Sequence, residues 1–293
     1  MNLEEALSRL DRSCESTRDL YLFLLCSMEP LCSEARARIE AARGKFNPTE
    51  EDLNPNERFA LNAMGRVLLD DPDFQRLVQR KNLAWQQYDM QVRHILDSVL
   101  TKPYFARYME AEKSGLREDA KVFEHIFEQE FEDNPEVEAI LEDIFPDCMD
   151  ELGYALSICC RTLHDLGEGK PWQLPELYIS DAVLKRDPNA DVSSDKQFVH
   201  KLLRAAFAGY EAYFARVCEA TPEWDSDRLF STDMAIIALA LAEVETFPDI
   251  PVRVSINEWV EIAKCYGSPK SSSFVNGLVD RLVKNNKTIN KQI

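Results

Sequence analysis

At 293 residues, with 45% hydrophobic side chains and only nine glycines, the chain is long enough to bury one large core or two, and its composition excludes a disordered or collagen-like polymer. No stretch reaches the ~18 uncharged apolar residues of a membrane span. The opening Met1-Asn2-Leu3-Glu4-Glu5 is acidic where a secretory signal is basic, so the expected location is the cytoplasm. A formal net charge of −18 opposes non-specific association with nucleic acid; residues 251–293, with seven Lys/Arg against three Asp/Glu, reverse the sign.

Leu3, Leu7, Leu10, Cys14, Thr17, Tyr21, Leu24, Met28 and Leu31 alternate spacings of four and three, which predicts a helix seam. The seam fits an antiparallel partner within the chain as well as a coiled coil between two copies. Pro30 is expected to kink this helix and Gly44 to end it. Asn56 is expected to cap the next helix, which carries Phe59, Leu61, Met64 and Leu68. Helical periodicity continues over 83–100, 103–111, 117–132, 135–145 and 149–166, and nothing reads as a strand. Carboxylates crowd around Phe131, Val137, Ile140, Leu141, Ile144 and Phe145, predicting an acidic amphipathic helix pair over 128–151. With no base beside them, these acids read as a solvated face and not as a catalytic pair.

The eight cysteines include no C-x-x-C pair and read as small core residues. Cys160 and His164 share a helix face, but two further ligands are missing, so no metal site is predicted. His94, His125 and His200 stand alone and read as structural or exposed. The stretch 167–193, rich in Gly and Pro, reads as a linker between an acidic helical region, 1–166, and a carboxy-terminal domain, 194–293.

Beyond the linker, 196–219 predicts a helix with Phe198, Leu202, Leu203, Ala206, Tyr210, Phe214 and Val217 inward. Trp224-Asp225-Ser226-Asp227 lacks the glycine and terminal glutamate of a calcium loop. Ser231-Thr232-Asp233 is expected to cap the run Met234 to Ala242, which is apolar nearly all round and therefore suited to the centre of a bundle. In Pro251 to Lys284, Ser255 and Glu258 fit a capping box, and Gly267 stands where a left-handed residue would end the helix. Ser268-Pro269 then starts a last helix through Phe274, Leu278 and Leu282, in which Gly277 predicts close approach of a neighbouring helix.

Between those helices, Gly267 to Ser273 gathers N–H groups, hydroxyls and Lys270 at one helix N-terminus. It reads either as an anion site or as an ordinary serine-rich cap. It is not a Walker loop, because Pro269 precedes Lys270 and Lys264 stands where the first glycine is needed. The series Val252-x-Val254-x-Ile256-Asn257-Glu258, Glu261-Ile262-Ala263-Lys264 and Phe274-Val275-Asn276-Gly277-Leu278-Val279-Asp280 resembles the C-terminal signature of the NusB family of transcription antitermination factors. Residues 228–244, with Ala242-Glu243, resemble the preceding family helix, and Leu53-Asn54-Pro55-Asn56-x-Arg58-Phe59 resembles the extended form of Bacteroidetes-type bacteria.

The resemblance implies an all-α fold of packed helical bundles, with the carboxy-terminal bundle over 194–284. It implies a non-enzymatic factor without a cofactor, binding boxA RNA of ribosomal RNA transcripts together with the small-subunit ribosomal protein that acts as NusE, within the RNA polymerase antitermination complex. RNA contacts are then expected at Lys264, Lys270, Ser271, Ser272, Ser273 and Phe274, with Phe274 either stacking on a base or filling the core. Asp233 and Glu243 are the expected partner contacts, or else an N-cap and a buried structural carboxylate. The chain starts without the family's short basic first helix, which implies either a truncated start or a member lacking part of the RNA surface; in both cases binding by the chain alone is expected to be weak and to strengthen with NusE. An acidic protein adaptor without RNA contact is the alternative. A ribosomal RNA methyltransferase fragment is disfavoured, since its Gly-rich cofactor loop and Pro-Cys nucleophile are missing.

Overall fold

The computed structural model describes residues 2–145, 150–175, 195–222 and 231–285, and among these every regular element is helical. In chain order the helices are α1 (Leu3–Leu25), α2 (Met28–Arg43), α3 (Glu50–Leu53), α4 (Met64–Leu69), α5 (Pro72–Lys81), α6 (Asp89–Leu100) and α7 (Pro103–Glu110). There follow α8 (Leu116–Ile126), which runs into a π-helical turn at Phe127–Phe131, then α9 (Pro135–Ile144) and α10 (Leu152–Gly167). The last four are α11 (Asp195–Ala220), α12 (Ser231–Thr246), α13 (Val252–Tyr266) and α14 (Ser271–Asn285). The chain forms two compact units, Arg9–Leu177 and Met1–Ser8 with Tyr178–Ile293. Residues 176–194 of the expected linker, the Trp224–Asp227 segment, Cys148, Lys287 and Lys291 lie outside the described residues.

In the Arg9–Leu177 unit the predicted first seam breaks after Leu25, and Pro30 falls in the first turn of α2, where an amide N–H has no intrahelical acceptor. The expected helix after Asn56 is also shorter: residues 58–61 form turns, and α4 begins only at Met64. The Asn56 side chain works elsewhere, donating to the Met109 carbonyl at 2.8 Å. Sequence reading missed α5, although Asp71 caps it, accepting from the N–H groups of Asp73 and Phe74 at 2.9 Å, and Pro72 occupies its first position. The 83–100 expectation shrinks to α6 because residues 83–88 are not helical; Trp85 there stacks on Phe23, centroids 4.8 Å apart.

The core of this unit is aromatic, with Tyr21, Phe23, Phe59, Phe74, Phe123, Phe127 and Phe131 fully buried. Several buried polar groups are satisfied within the core. Tyr21 shares a 2.9 Å hydrogen bond with Thr162 and accepts from Trp172 Nε1 at 3.0 Å, which anchors Trp172 of the expected linker in this core. Glu130, 3% exposed, accepts from Ser98 Oγ at 2.6 Å and Tyr104 at 3.2 Å and pairs with Lys102 at 3.2 Å. Cys159 and Cys160 donate to the carbonyls of Tyr21 and Glu124, and burial pushes the Cys160 thiol up to about 12. α10 lies tightly on α8 at Gly167, where a Cβ would stand 3.1 Å from that of Ala120.

In the carboxy-terminal unit, α12 is the centre, packed by α11, α13 and α14. It buries Met234, Ile236, Ile237, Ala238, Ala240, Leu241, Ala242 and Val244, as its all-round apolar character predicts. It begins at Ser231, so Ser231-Thr232-Asp233 form its first turn and do not precede it. On α11 the inward tyrosine is Tyr213, while Tyr210 is exposed. Glu4, near the chain start, pairs with Arg204 of α11 at 3.4 Å.

Three local expectations for the last two helices need correction. The Ser255 capping box does not form: Pro251 starts α13 four residues earlier, leaving Ser255 fully buried inside it with its hydroxyl unbonded. Gly267 is extended (φ −97°, ψ 177°), so its purpose is not left-handed backbone. It makes room instead, since a Cβ would fall 2.6 Å from the Ala263 carbonyl oxygen and overlap Ser271. Gly277 is helical but exposed, and a Cβ there would touch nothing within 4 Å, which removes the close-approach explanation.

Candidate nucleic-acid interface

The basic end of the chain is organised by a serine pair at the start of α14. Ser271 Oγ accepts from the Ser268 N–H at 2.8 Å and lies 3.0 Å from the Ser268 hydroxyl, while the Ser271 N–H donates to the Ser268 carbonyl at 2.9 Å. This is the reciprocal half of a capping arrangement, with Pro269 and Lys270 as the tight turn between the two serines. The predicted contact residues consequently separate. Ser271 is 1% exposed and holds the turn, whereas Lys270 and Ser273 are exposed and Ser272 is half-buried. Lys270 has no ion pair among the described residues. Lys264, on α13, is exposed and sits 2.6 Å from Glu261, so its charge is locally offset.

Phe274 is half-buried, packed against the core and also lining a groove of about 490 Å³. The other α14 residues of this groove are Ser273, Gly277, Leu278 and Arg281, and the end of α11 supplies Ala220, Thr221 and Pro222. Arg281 Nη1 donates to the Ala220 carbonyl at 2.9 Å, holding the guanidinium at the rim. An arginine, an aromatic edge and a glycine that leaves the floor open can accept a flat ring beside a phosphate. Sequence reading overlooked Arg281. Its signal was the spacing of Phe274, Gly277, Leu278 and Arg281, one helical face at i, i+3, i+4 and i+7.

The two expected partner carboxylates lie inside the unit. Glu243, 7% exposed, accepts from Trp259 Nε1 at 3.1 Å and so ties α12 to α13. Asp233 is 5% exposed in the first turn of α12, where the helix dipole favours an anion, and its Oδ1 has no hydrogen bond among the described residues. Of the two readings offered for these residues, burial fits the structural one. Among the described residues no group of three or more His, Cys, Asp and Glu could hold a metal ion. No described helix is long and apolar enough to cross a membrane.

All these candidate residues fall within the stretch, 173–284, that matches the model of the NusB family. The transcription antitermination protein NusB of Citrifermentans bemidjiense is 31% identical over 132 residues, an alignment covering 39% of this chain and 91% of that protein. The chain belongs to the NusB family. That of Alkaliphilus oremlandii is 41% identical over 88 residues, covering 30% of this chain and 64% of the relative. The NusB of Chloroherpeton thalassium is 31% identical over 102 residues, 35% of this chain and 48% of the relative. No solved structure matches. NusB proteins are transcription antitermination factors and not enzymes. The family resemblance is thus confirmed for the carboxy-terminal region, to which this chain adds an amino-terminal helical extension.

Proposed function

We propose that the chain acts in the cytoplasm as an antitermination factor, binding boxA-type RNA of ribosomal RNA transcripts together with the small-subunit ribosomal protein acting as NusE. The observation that carries this reading is the groove on α14, where Ser273, Phe274, Gly277 and Arg281 meet the end of α11 inside the family-matched segment. Lys270 and Ser272 flank the same helix start, and Lys264 is a weaker contact because Glu261 offsets it. Ser271 acts indirectly by fixing the turn. Residues 251–293 are a net-basic stretch of only seven Lys/Arg in an acidic chain, so phosphate contacts are few and RNA affinity depends on a basic partner. With Asp233 and Glu243 themselves buried, the proposed docking face is the exposed surface around α12.

Isothermal titration of boxA RNA, with and without NusE and across a salt series, tests the proposal. Weak binding that strengthens substantially with NusE is expected, and Lys270→Glu lowers both the affinity and the salt slope, the latter by about one ion. Equal affinity in the two experiments rejects cooperative recognition. NusE binding with no RNA increment identifies a protein-only adaptor instead.

A further inference from the structure

The Arg9–Leu177 unit carries a groove of its own, of about 480 Å³, between α7 and α8. α7 lines it with Tyr104 and Arg107, and α8 with Glu118, Lys121 and His125, each set at the spacing of one helical face. Arg58, from the segment after α3, completes it. Three cations, Arg58, Arg107 and Lys121, thus face one carboxylate, in a stretch, 9–177, that holds 34 Asp/Glu against 20 Lys/Arg. Several cations elsewhere in this unit lie against acids, as where Arg38 spans Glu34 and Asp97, Lys81 meets Asp19 and Lys170 meets Asp165. Arg107 and Lys121 are both exposed, and neither has an ion pair among the described residues.

Nearby acids are engaged from beneath by phenols, since Tyr104 donates to Glu130 at 3.2 Å and Tyr108 to Asp119 at 2.7 Å. Burial together with these carboxylates pushes both phenols well above their usual range, so they remain protonated donors. Arg58 donates to the carbonyls of Ala111 and Lys113 and lies over the Tyr108 ring at 4.5 Å, which locks its guanidinium at the end of α7. Asn56 fixes the same end through Met109, so the Asn-Pro-Asn-Glu-Arg-Phe stretch shapes the groove wall. Arg107 uses its Nε on the Pro103 carbonyl at 3.2 Å. The His125 ring packs on Tyr104 at 5.3 Å, and its buried Nδ1 makes no hydrogen bond, with Glu128 at 3.6 Å.

We propose that this groove binds a phosphate group, with Arg107 and Lys121 donating to the phosphate oxygens and Arg58 adding to the local positive field. Its volume admits a phosphate with one attached sugar or a second phosphate. The source is either a small phosphate compound or the backbone of single-stranded RNA.

Titration of the full chain with pyrophosphate and, separately, with a short single-stranded RNA lacking boxA tests this. The RNA series is run in a Lys270→Glu background, so that this groove and the α14 surface are read apart. Arg107→Glu/Lys121→Glu is expected to weaken binding at least about tenfold, while Arg107→Lys/Lys121→Arg retains it. Both side chains are exposed, so the fold should persist; the neutral pair Arg107→Gln/Lys121→Gln gives the same direction without charge reversal. Loss seen with pyrophosphate identifies a small phosphate compound, and loss confined to RNA identifies its backbone. Binding of both probes that is absent, or unchanged in the variants, overturns the proposal.

Discussion

The interior of the Arg9–Leu177 unit holds aromatic rings together with the carboxylate, amide and hydroxyl groups that satisfy them. The carboxy-terminal unit instead fills its centre with the Ile, Leu and Ala of α12, and its buried carboxylate Glu243 meets one indole. A ring-and-acid core specifies its geometry through directional bonds, and losing one partner leaves a buried polar group unsatisfied. An aliphatic core tolerates polar loss better and is sensitive to volume. The two candidate grooves follow the same division. One is lined by three cations against one carboxylate, over phenols that hold buried acids; the other is open because a helix face carries glycine where a side chain would stand.

The largest expected effect comes from Glu130→Ala, which removes the acceptor of Ser98 and Tyr104 and the ion partner of Lys102. Urea unfolding should show the Arg9–Leu177 unit weakened by about 3–5 kcal/mol. A loss below about 1 kcal/mol would remove the ring-and-acid account of this core. Ile237→Ala, at a fully buried site on α12, should cost the other unit about 3 kcal/mol through the cavity it leaves. Hydrogen exchange resolved by segment separates the two, because each substitution should release protection only within its own unit.

Alkaline pH should also distinguish them. Burial raises the Cys26 and Cys32 thiols from about 9 to about 12, so the stability they contribute is intact below pH 9 and is lost as pH rises towards 12. In the carboxy-terminal unit Tyr213 is raised from about 10 to about 12, by burial first and by Glu245 second, so its loss begins a pH unit later. Segment-resolved exchange under reducing conditions should therefore show the Arg9–Leu177 unit opening first; simultaneous opening would contradict the burial of its thiols. The smallest effect is Gly277→Ala, expected to stabilise by up to about 1 kcal/mol by removing helix-interior glycine, while boxA affinity falls slightly as the groove narrows. A destabilised Gly277→Ala protein would restore a packing role for that glycine.

Much of the architecture was legible from periodicity. α12 announced itself by being apolar on all sides, and α7, α9 and α10 by their stripes. Boundaries were less legible where two local signals competed. Ser255 and Glu258 match a capping box, yet Pro251 offers an earlier start, and packing then buries Ser255. The site was half legible. Lys270, Ser273 and Phe274 lie in one sequence run, whereas the pairing of Arg281 with Ala220 joins residues 61 apart and exists only after α11 and α14 have packed. The α7–α8 groove was hidden for the same reason, since Arg58, Arg107 and Lys121 share no motif.

Under the proposed RNA-binding role, the Gly267 to Ser271 turn bears on the kinetics of recognition. Its tight packing against Ala263 and its serine latch set the loop's shape during folding, so an incoming strand has little local disorder to suppress. Encounter then resembles docking onto a rigid ledge. Ionic strength should act mainly on how often RNA arrives at Lys270, and the residence time should be set by what the strand finds in the adjoining groove.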